Sequence, residues 1–274
     1  MMKRMFAALA LLVVPSANAL AEWELNMREG VTAISREIYG LHMLIFWVCV
    51  FIAIVVFGWM ILALVLHRKS RGVEAAQFSH STKAEIIWTL IPVVILVAMA
   101  VPAAETMVRI EDDRNPDVTI KATGYQWKWE YEYLDEGISF YSNLARTSND
   151  ARRLNSGINP ESVPNYLLEV DNHVIVPVNK KIRVLLTSND VIHAWWMPDF
   201  AIKKDAIPGY INQVWFRAEE PGIYRGQCAE LCGQDHGFMP IVVEVLEEAD
   251  YAARIAALQA EQGVDAPQLA ANQD

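Results

Sequence analysis

The stretch "VTIKATGYQWKWEYEYL", Val118–Leu134, alternates over most of its length. Trp127, Trp129, Tyr131 and Tyr133 fall on one side, and Gln126, Lys128, Glu130 and Glu132 on the other. A period of two is the mark of a strand with one apolar face. Outward from it, further short strands are expected at Tyr166–Val170, His173–Pro177, Lys181–Thr187, Gln213–Arg217, Gly222–Gly226 and Pro240–Val245. The turn signals "VDN", "SND", "IPG" and "EPG" punctuate them. Short strands with such turns indicate an all-β sandwich or barrel, here over residues 108–247. The polar segment Ser142–Asn165 reads as a long surface loop. Residues 248–274 read as a short helix that frays into a disordered, Ala/Gln-rich tail. No internal repeat is present.

Upstream the pattern changes. Residues 41–67, "LHMLIFWVCVFIAIVVFGWMILALVLH", carry no Asp, Glu, Lys or Arg, and residues 85–107 form a second apolar run containing Pro92 and Pro102. Each is long enough to cross a bilayer core of ~30 Å at ~1.5 Å per residue, and membrane helices tolerate proline. The linker at 68–84 holds Arg68, Lys69, Arg71 and Lys83 against Glu74. Positive loops stay inside, so both ends of this hairpin and the β region lie outside. Residues 1–21 have the build of a secretory signal: Lys3 and Arg4, a short apolar stretch, then Pro15 and small residues. That leaves 22–40 as an exported N-terminal segment. The signal demands the same topology as the charged loop.

The composition agrees: 53% of the 274 residues are hydrophobic, and the excess sits in these N-terminal runs. From Glu105 onward there are 27 acidic against 15 basic residues, a net −12 within a whole-chain charge of −10. Such an exported region repels nucleic acid and suits a basic partner.

The chemistry concentrates in "GQCAELCGQDHGFMP", Gly226–Pro240, which holds two of the three cysteines, Cys228 and Cys232, with His236 and Met239. Thiolate and thioether are soft ligands suited to copper, and imidazole suits it too. One cysteine, two histidines and a weak methionine make a mononuclear blue-copper site. The extra thiolate here would allow two copper ions to share two sulfur bridges. A second histidine stands upstream in "TSNDVIHAWWMPDF", where His193 follows a polar turn and precedes an aromatic strand. Strand-end loops of a sandwich meet at one rim, which would complete the ligand set. A disulfide is the other reading of a Cys-x3-Cys pair in an oxidising compartment. The histidine four residues and the methionine seven residues beyond Cys232 favour metal. Zinc is disfavoured because methionine is a poor zinc ligand. Cys49, mid-span, reads as a small buried hydrophobe.

Together "GQCAELCGQDHGFMP", "SNDVIHAWWMPDF", "KKDAIPG" and "GYQWKWEYEY" resemble subunit II of the haem–copper cytochrome c oxidases, over the first span to about Glu247. The resemblance implies a two-helix transmembrane hairpin followed by a cupredoxin-like domain with a binuclear copper centre, Cu-A. It implies the metal ligands His193, Cys228, Cys232, His236 and Met239, with Glu230 binding through its backbone carbonyl. The Glu230 carboxylate would reach a magnesium ion at the contact with subunit I. Trp127 matches the tryptophan where an electron from cytochrome c enters. Glu85 matches a glutamate at the mouth of a proton path, although "TKAE" (Thr82–Glu85) also spells a helix capping box. Two positions depart from the usual motif: Tyr125 replaces a frequent histidine and Lys128 a frequent tyrosine.

The implied function is to accept electrons from cytochrome c and pass them to haem a in subunit I, for reduction of oxygen to water coupled to proton translocation. The implied partners are subunits I and III, cytochrome c and membrane lipid, with haem confined to subunit I. The implied location is the bacterial inner membrane, with the C-terminal domain on the periplasmic side. Three rivals share parts of this pattern. A quinol oxidase subunit would lack the copper ligands. A membrane-anchored copper-delivery module needs neither Met239 nor Glu230. A soluble nitrous-oxide-reductase type domain has no hairpin.

Overall fold

The computed structural model describes residues 26–72, 74 and 76–264, so the expected signal at 1–21 and the last ten residues of the tail lie outside the described residues. Helix α1 spans Ala33–Leu66 and helix α2 spans Thr82–Ile110. At ~1.5 Å per residue α1 is ~50 Å long, well beyond the ~30 Å apolar core of a bilayer. Its first turns therefore stand outside the membrane, and it begins eight residues before the apolar run at Leu41. Large side chains such as Phe51, Trp59, Leu64 and Val94 are exposed along both helices, and none of the most apolar stretch of either is buried within the chain. A helix apolar on every side is matched to lipid or to other membrane helices.

The cap of α2 differs from the sequence reading. Ser81 is the N-cap, accepting from the Ala84 amide at 3.5 Å, and Thr82 is the first helical residue. Glu85 thus lies one position beyond a capping box and is exposed. The capping box forms instead on α1. The Ser35 amide donates to Thr32 Oγ1 at 2.9 Å, and the Thr32 amide donates to Ser35 Oγ at 3.0 Å. This corner is stitched to the β domain. The Val31 amide donates to the Asp199 carbonyl, and the Glu219 amide donates to the Val31 carbonyl. Gly30 is required here: its φ is +76°, and a Cβ would sit 2.5 Å from the Asp199 oxygen. Ion pairs Arg36–Glu219 and Arg109–Glu37 complete the junction. The hairpin and the sandwich are therefore held at a fixed end, with the basic loop at the other.

Among the described residues, ten strands form two five-stranded sheets: β1 Val118–Tyr125, β2 Lys128–Tyr133, β3 Ile138–Ser142, β4 Val174–Pro177, β5 Ile182–Ser188, β6 His193–Met197, β7 Ile202–Ala206, β8 Asn212–Phe216, β9 Gly222–Cys228 and β10 Pro240–Leu246. The orders are β3-β2-β1-β5-β8 and β4-β10-β9-β6-β7. Pairs β1–β5 and β4–β10 are parallel, and the others are antiparallel. The opening stretch is two strands, not one. The chain reverses at Gln126–Trp127, so that Tyr125 opposes Lys128. Trp129, Tyr131 and Tyr133 enter the core at 0–1% exposure, while Trp127 is left half-buried at the hairpin tip. Truncating a buried aromatic of this size to alanine costs about 3–5 kcal/mol.

Two strands, β3 and β7, were not expected, while β6 is the aromatic strand expected at His193, with His193 as its first residue. In β6 four of the five residues are buried, so it has no alternation to read. The expected strand at Tyr166–Val170 is not formed; only Val170 bridges, to Leu144. The segment read as loop contains helix α3, Arg146–Ala151.

The C-terminal helix α4, Glu248–Gln262, is longer than expected and docked. Tyr251, Ile255 and Leu258 pack on the core at helical spacing. Gln259 Nε2 donates to the Glu136 carbonyl at 2.9 Å, and the Tyr251 hydroxyl donates to Glu136 Oε1 at 3.1 Å. Burial pushes the Glu136 carboxyl above its ordinary value. The folded state thus favours the protonated form. Docking of α4 is strongest at pH below the ordinary carboxylate pKa and weakens as pH rises through the raised one. The protection factors of the α4 amides, exchange rates corrected for the intrinsic pH dependence, are expected to fall over that window, and Glu136→Gln is expected to flatten the dependence. An unchanged pH profile in Glu136→Gln would show that another group controls the helix.

Candidate metal centre

Two connections meet at one rim of the sandwich. The first follows β5 and delivers His193 at the start of β6; the second joins β9 to β10 and carries Cys228 through Met239. Backbone bonds fix their meeting. The Ala229 amide donates to the Ala194 carbonyl at 3.0 Å, and the Cys228 amide donates to the Met239 carbonyl at 3.2 Å. Gly124 on β1 lies beneath His193, where a Cβ would come within 2.7 Å of the imidazole.

The five predicted side chains converge. His193 Nδ1 lies 3.9 Å from Cys228 Sγ, and the two sulfurs lie 3.9 Å apart. His236 Nδ1 is 3.6 Å and Met239 Sδ 3.5 Å from Cys232 Sγ. A disulfide needs ~2.05 Å between sulfurs, so the pair is not bridged and both cysteines are free. His193 Nδ1/Nε2, Cys228 Sγ and Cys232 Sγ offer donor atoms all within 4.8 Å of one another. The Glu230 carbonyl oxygen lies 3.4 Å from Cys228 Sγ, while its side chain faces solvent. His193, Cys228, Cys232 and Met239 are buried at 0–4% exposure, and His236 is half-buried. Two thiolates, two imidazoles and a thioether form a soft donor set that fits copper.

The electrostatics suit a metal as well. Burial works to raise the Cys228 thiol, but hydrogen bonds from His193 and the Ala194 backbone outweigh it and bring the thiol down. Cys232 is pushed up by burial and by the neighbouring Cys228 charge. A cation placed between the sulfurs would relieve that repulsion.

Two residues that sequence reasoning missed position this rim. Asp190 Oδ1 accepts from His193 Nε2 at 2.8 Å, which leaves Nδ1 turned toward Cys228. A carboxylate behind a ligating histidine fixes its tautomer and raises its basicity. Burial opposes the charge on Asp190, yet His193 and the Val191 and Gln126 amides hold its carboxyl below the ordinary value. Gln126 Nε2 donates to the Cys232 carbonyl at 2.7 Å, and Trp127 Nε1 donates to the same oxygen at 3.2 Å. The "SND" turn three residues before His193 was the available signal for Asp190. For Gln126 there was none, because its contact spans 106 residues. Lys128 sits beside this tip with its ammonium 3.7 Å from the centre of the Tyr141 ring. Glu85 is not part of the cluster; it lies at the opposite end of the hairpin.

Comparison with known proteins agrees with this geometry. Residues 118–246 match the family described as cytochrome C oxidase subunit II, periplasmic domain, and residues 20–105 match its transmembrane domain. The chain is 40% identical over 238 residues to cytochrome c oxidase subunit 2 of Cyanidium caldarium, covering 85% of this chain and 90% of that relative. It is 36% identical over 253 residues to the probable cytochrome c oxidase subunit 2 of Rickettsia felis, covering 90% and 77%. A crystal structure of the periplasmic domain of subunit II of Bradyrhizobium japonicum cytochrome oxidase is 43% identical, covering 54% of this chain and 96% of that one, with a TM-score of 0.47. The hairpin with its basic loop and the domain beyond it make this a multi-pass inner-membrane protein with a periplasmic β domain. With both halves of the chain matched and the soft ligands gathered at one rim, the chain belongs to the cytochrome c oxidase subunit II family, whose members are part of the haem–copper oxidase, an oxidoreductase.

Proposed function

We propose that this subunit receives electrons from cytochrome c and passes them to haem a in subunit I, through two copper ions held by His193, Cys228, Cys232, His236, Met239 and the Glu230 carbonyl. The observation that carries the reading is the convergence of two free thiolates, two imidazoles and a thioether through sulfur contacts of 3.5–3.9 Å. Bound copper would supply a one-electron carrier between the two haem proteins. The protein's part is to hold a soft, buried and nearly rigid set of donors. Asp190 orients His193, and the Met239 thioether, 3.5 Å from Cys232 Sγ, would be a weak ligand to the metal. Trp127, half-buried at the hairpin tip with its indole N–H on the Cys232 carbonyl, is the gateway from the surface. The exposed Glu230 carboxylate is offered to a magnesium ion shared with subunit I. Glu85, in the first turn of α2 at the cytoplasmic end, is offered to a proton path in subunit I. Subunit III completes the proposed assembly.

Purified oxidase is expected to show the hyperfine pattern of one electron shared equally by two copper nuclei. A mononuclear pattern, or no copper in this subunit, would overturn the reading. Docking has its own test. The net −12 from Glu105 onward steers a basic cytochrome. Exposed charges are screened within about 8 Å at physiological ionic strength. Association rates measured by stopped flow are therefore expected to fall steeply with added salt. A flat salt dependence would mean that docking is apolar.

A further inference from the structure

The two histidines of the site are held in different ways. His193 is fully buried and braced by Asp190. His236 is half-buried, in a short turn His236–Phe238; its amide donates to the Gly233 carbonyl at 3.3 Å, and its Nδ1 lies 3.6 Å from Cys232 Sγ, with no carboxylate bracing the ring among the described contacts. The turn that carries it is contacted by a residue from the polar segment with no place yet in the function. Arg152 follows α3 and reaches across to the turn. Its Nη1 and Nη2 donate to the two oxygens of Asp235 at 3.2 and 3.1 Å. Its Nε donates to Asn149 Oδ1 at 2.8 Å, and its guanidinium carbon lies 4.2 Å from the centre of the Phe238 ring. One planar group thus grips the residue before His236 and the residue two after it. A fork on a carboxylate fixes both distance and orientation, and stacking fixes the plane; an ammonium supplies neither.

The grip is anchored through contacts outside the Cys228–Met239 loop. The Ala145 amide donates to the Glu169 carbonyl at 2.9 Å, and the Glu169 carboxylate accepts from Arg225 on β9 at 2.6 Å. Ser148 is fully buried, and its Oγ accepts from the Leu167 amide at 3.1 Å. A chain of contacts therefore runs from β9 through α3 and Arg152 to the turn.

We propose that Arg152 is a positioning residue for the metal centre, clamping the His236 turn through Asp235 and Phe238. This rests on the reading of His236 as a copper ligand. In the intact oxidase, removal of copper by the cuprous chelator bathocuproine disulfonate is expected to be about 10-fold faster in Arg152→Ala, the low end of what lost support behind a ligand costs in metal affinity. The copper hyperfine splitting is expected to change, with the haem content of the complex kept. Arg152→Lys is expected to rescue partly. Arg153→Ala, whose side chain pairs only with Asp150 among the described contacts, is expected to match the wild type in both readouts. Asp235→Asn is expected to have a smaller effect than Arg152→Ala, and the double variant to add little to it, since the two act as one unit. Should Arg152→Ala fail to assemble, Arg152→Lys and Asp235→Asn decide: wild-type release rates and spectra in both would overturn the clamp. So would a wild-type spectrum and release rate in Arg152→Ala. A wild-type oxidase without copper in this subunit would overturn the ligand reading itself, a result distinct from failure of the clamp.

Discussion

Cys228→Ser and Cys232→Ser are each expected to abolish the shared-electron copper signal in the assembled oxidase and to stop electron delivery from cytochrome c. A hydroxyl is a hard, weakly acidic ligand that cannot replace a bridging thiolate on copper. Loss of either sulfur would leave at most a mononuclear site, because these two thiols, 3.9 Å apart, are the pair placed between the histidines. Burial adds a second cost. Both cysteines are 3–4% exposed, and a buried hydroxyl lacking a partner costs about 1–3 kcal/mol. Metal analysis, the hyperfine pattern and the melting temperature separate the two effects. Met239→Leu is the contrast: it replaces a thioether that would bind copper only weakly by a side chain of similar volume. It is expected to keep two coppers and shift the reduction potential. If Met239→Leu lost all copper, or either serine variant kept the native spectrum, the assigned roles would be wrong.

Trp127→Phe is expected to slow electron transfer from cytochrome c by orders of magnitude while copper content and spectrum stay intact. The indole occupies the hairpin tip, half-buried, and its N–H rests on the Cys232 carbonyl at 3.2 Å. Phenylalanine keeps most of the packing but has no N–H to give. The effect should appear in turnover at saturating cytochrome c, with KM little changed, because one rim aromatic contributes modestly beside a charged surface. Trp127→Ala distinguishes a gateway from a core residue. A fully buried tryptophan would cost about 3–5 kcal/mol on truncation. Half-buried Trp127 is expected to cost less, so the melting temperature should fall only slightly while transfer collapses. Normal fast transfer in Trp127→Phe would sink the gateway assignment, and parallel loss of stability and copper in Trp127→Ala would return this residue to the core.

The acidic surface proposed to dock the donor is not a uniform row of free carboxylates. Glu132 pairs with Lys121 at 2.6 Å, and Glu130 accepts from the Tyr125 hydroxyl at 2.8 Å. Lys128 adds a positive charge over Tyr141 beside Trp127. In the proposed docking, net charge would steer the approach and these local pairs would shape the contact.

Much of this protein was legible along the chain because the signals are local. Two apolar runs, a basic loop between them and a soft donor set within twelve residues are properties of neighbouring positions, and solvation and ligand chemistry act on them directly. Alternation in β2 marked Trp129, Tyr131 and Tyr133 as core for the same reason. Other features had no local sign. The turn at Gln126–Trp127 breaks an alternation that runs on in sequence, so it decided which aromatic stays at the rim. The buried strand β6 shows no period because both its faces are covered. Asp190 behind His193, Gln126 on the Cys232 carbonyl and Arg152 on Asp235 are single side-chain contacts, the last two across 106 and 83 residues. Such pairs carry no periodicity and need no particular spacing. Their partners meet only when two sheets close on each other and bring separate loops to one rim. The sequence by itself therefore determined the membrane hairpin, the β class and the soft donor side chains that gather at one rim, and only the tertiary structure decided what holds those side chains in place.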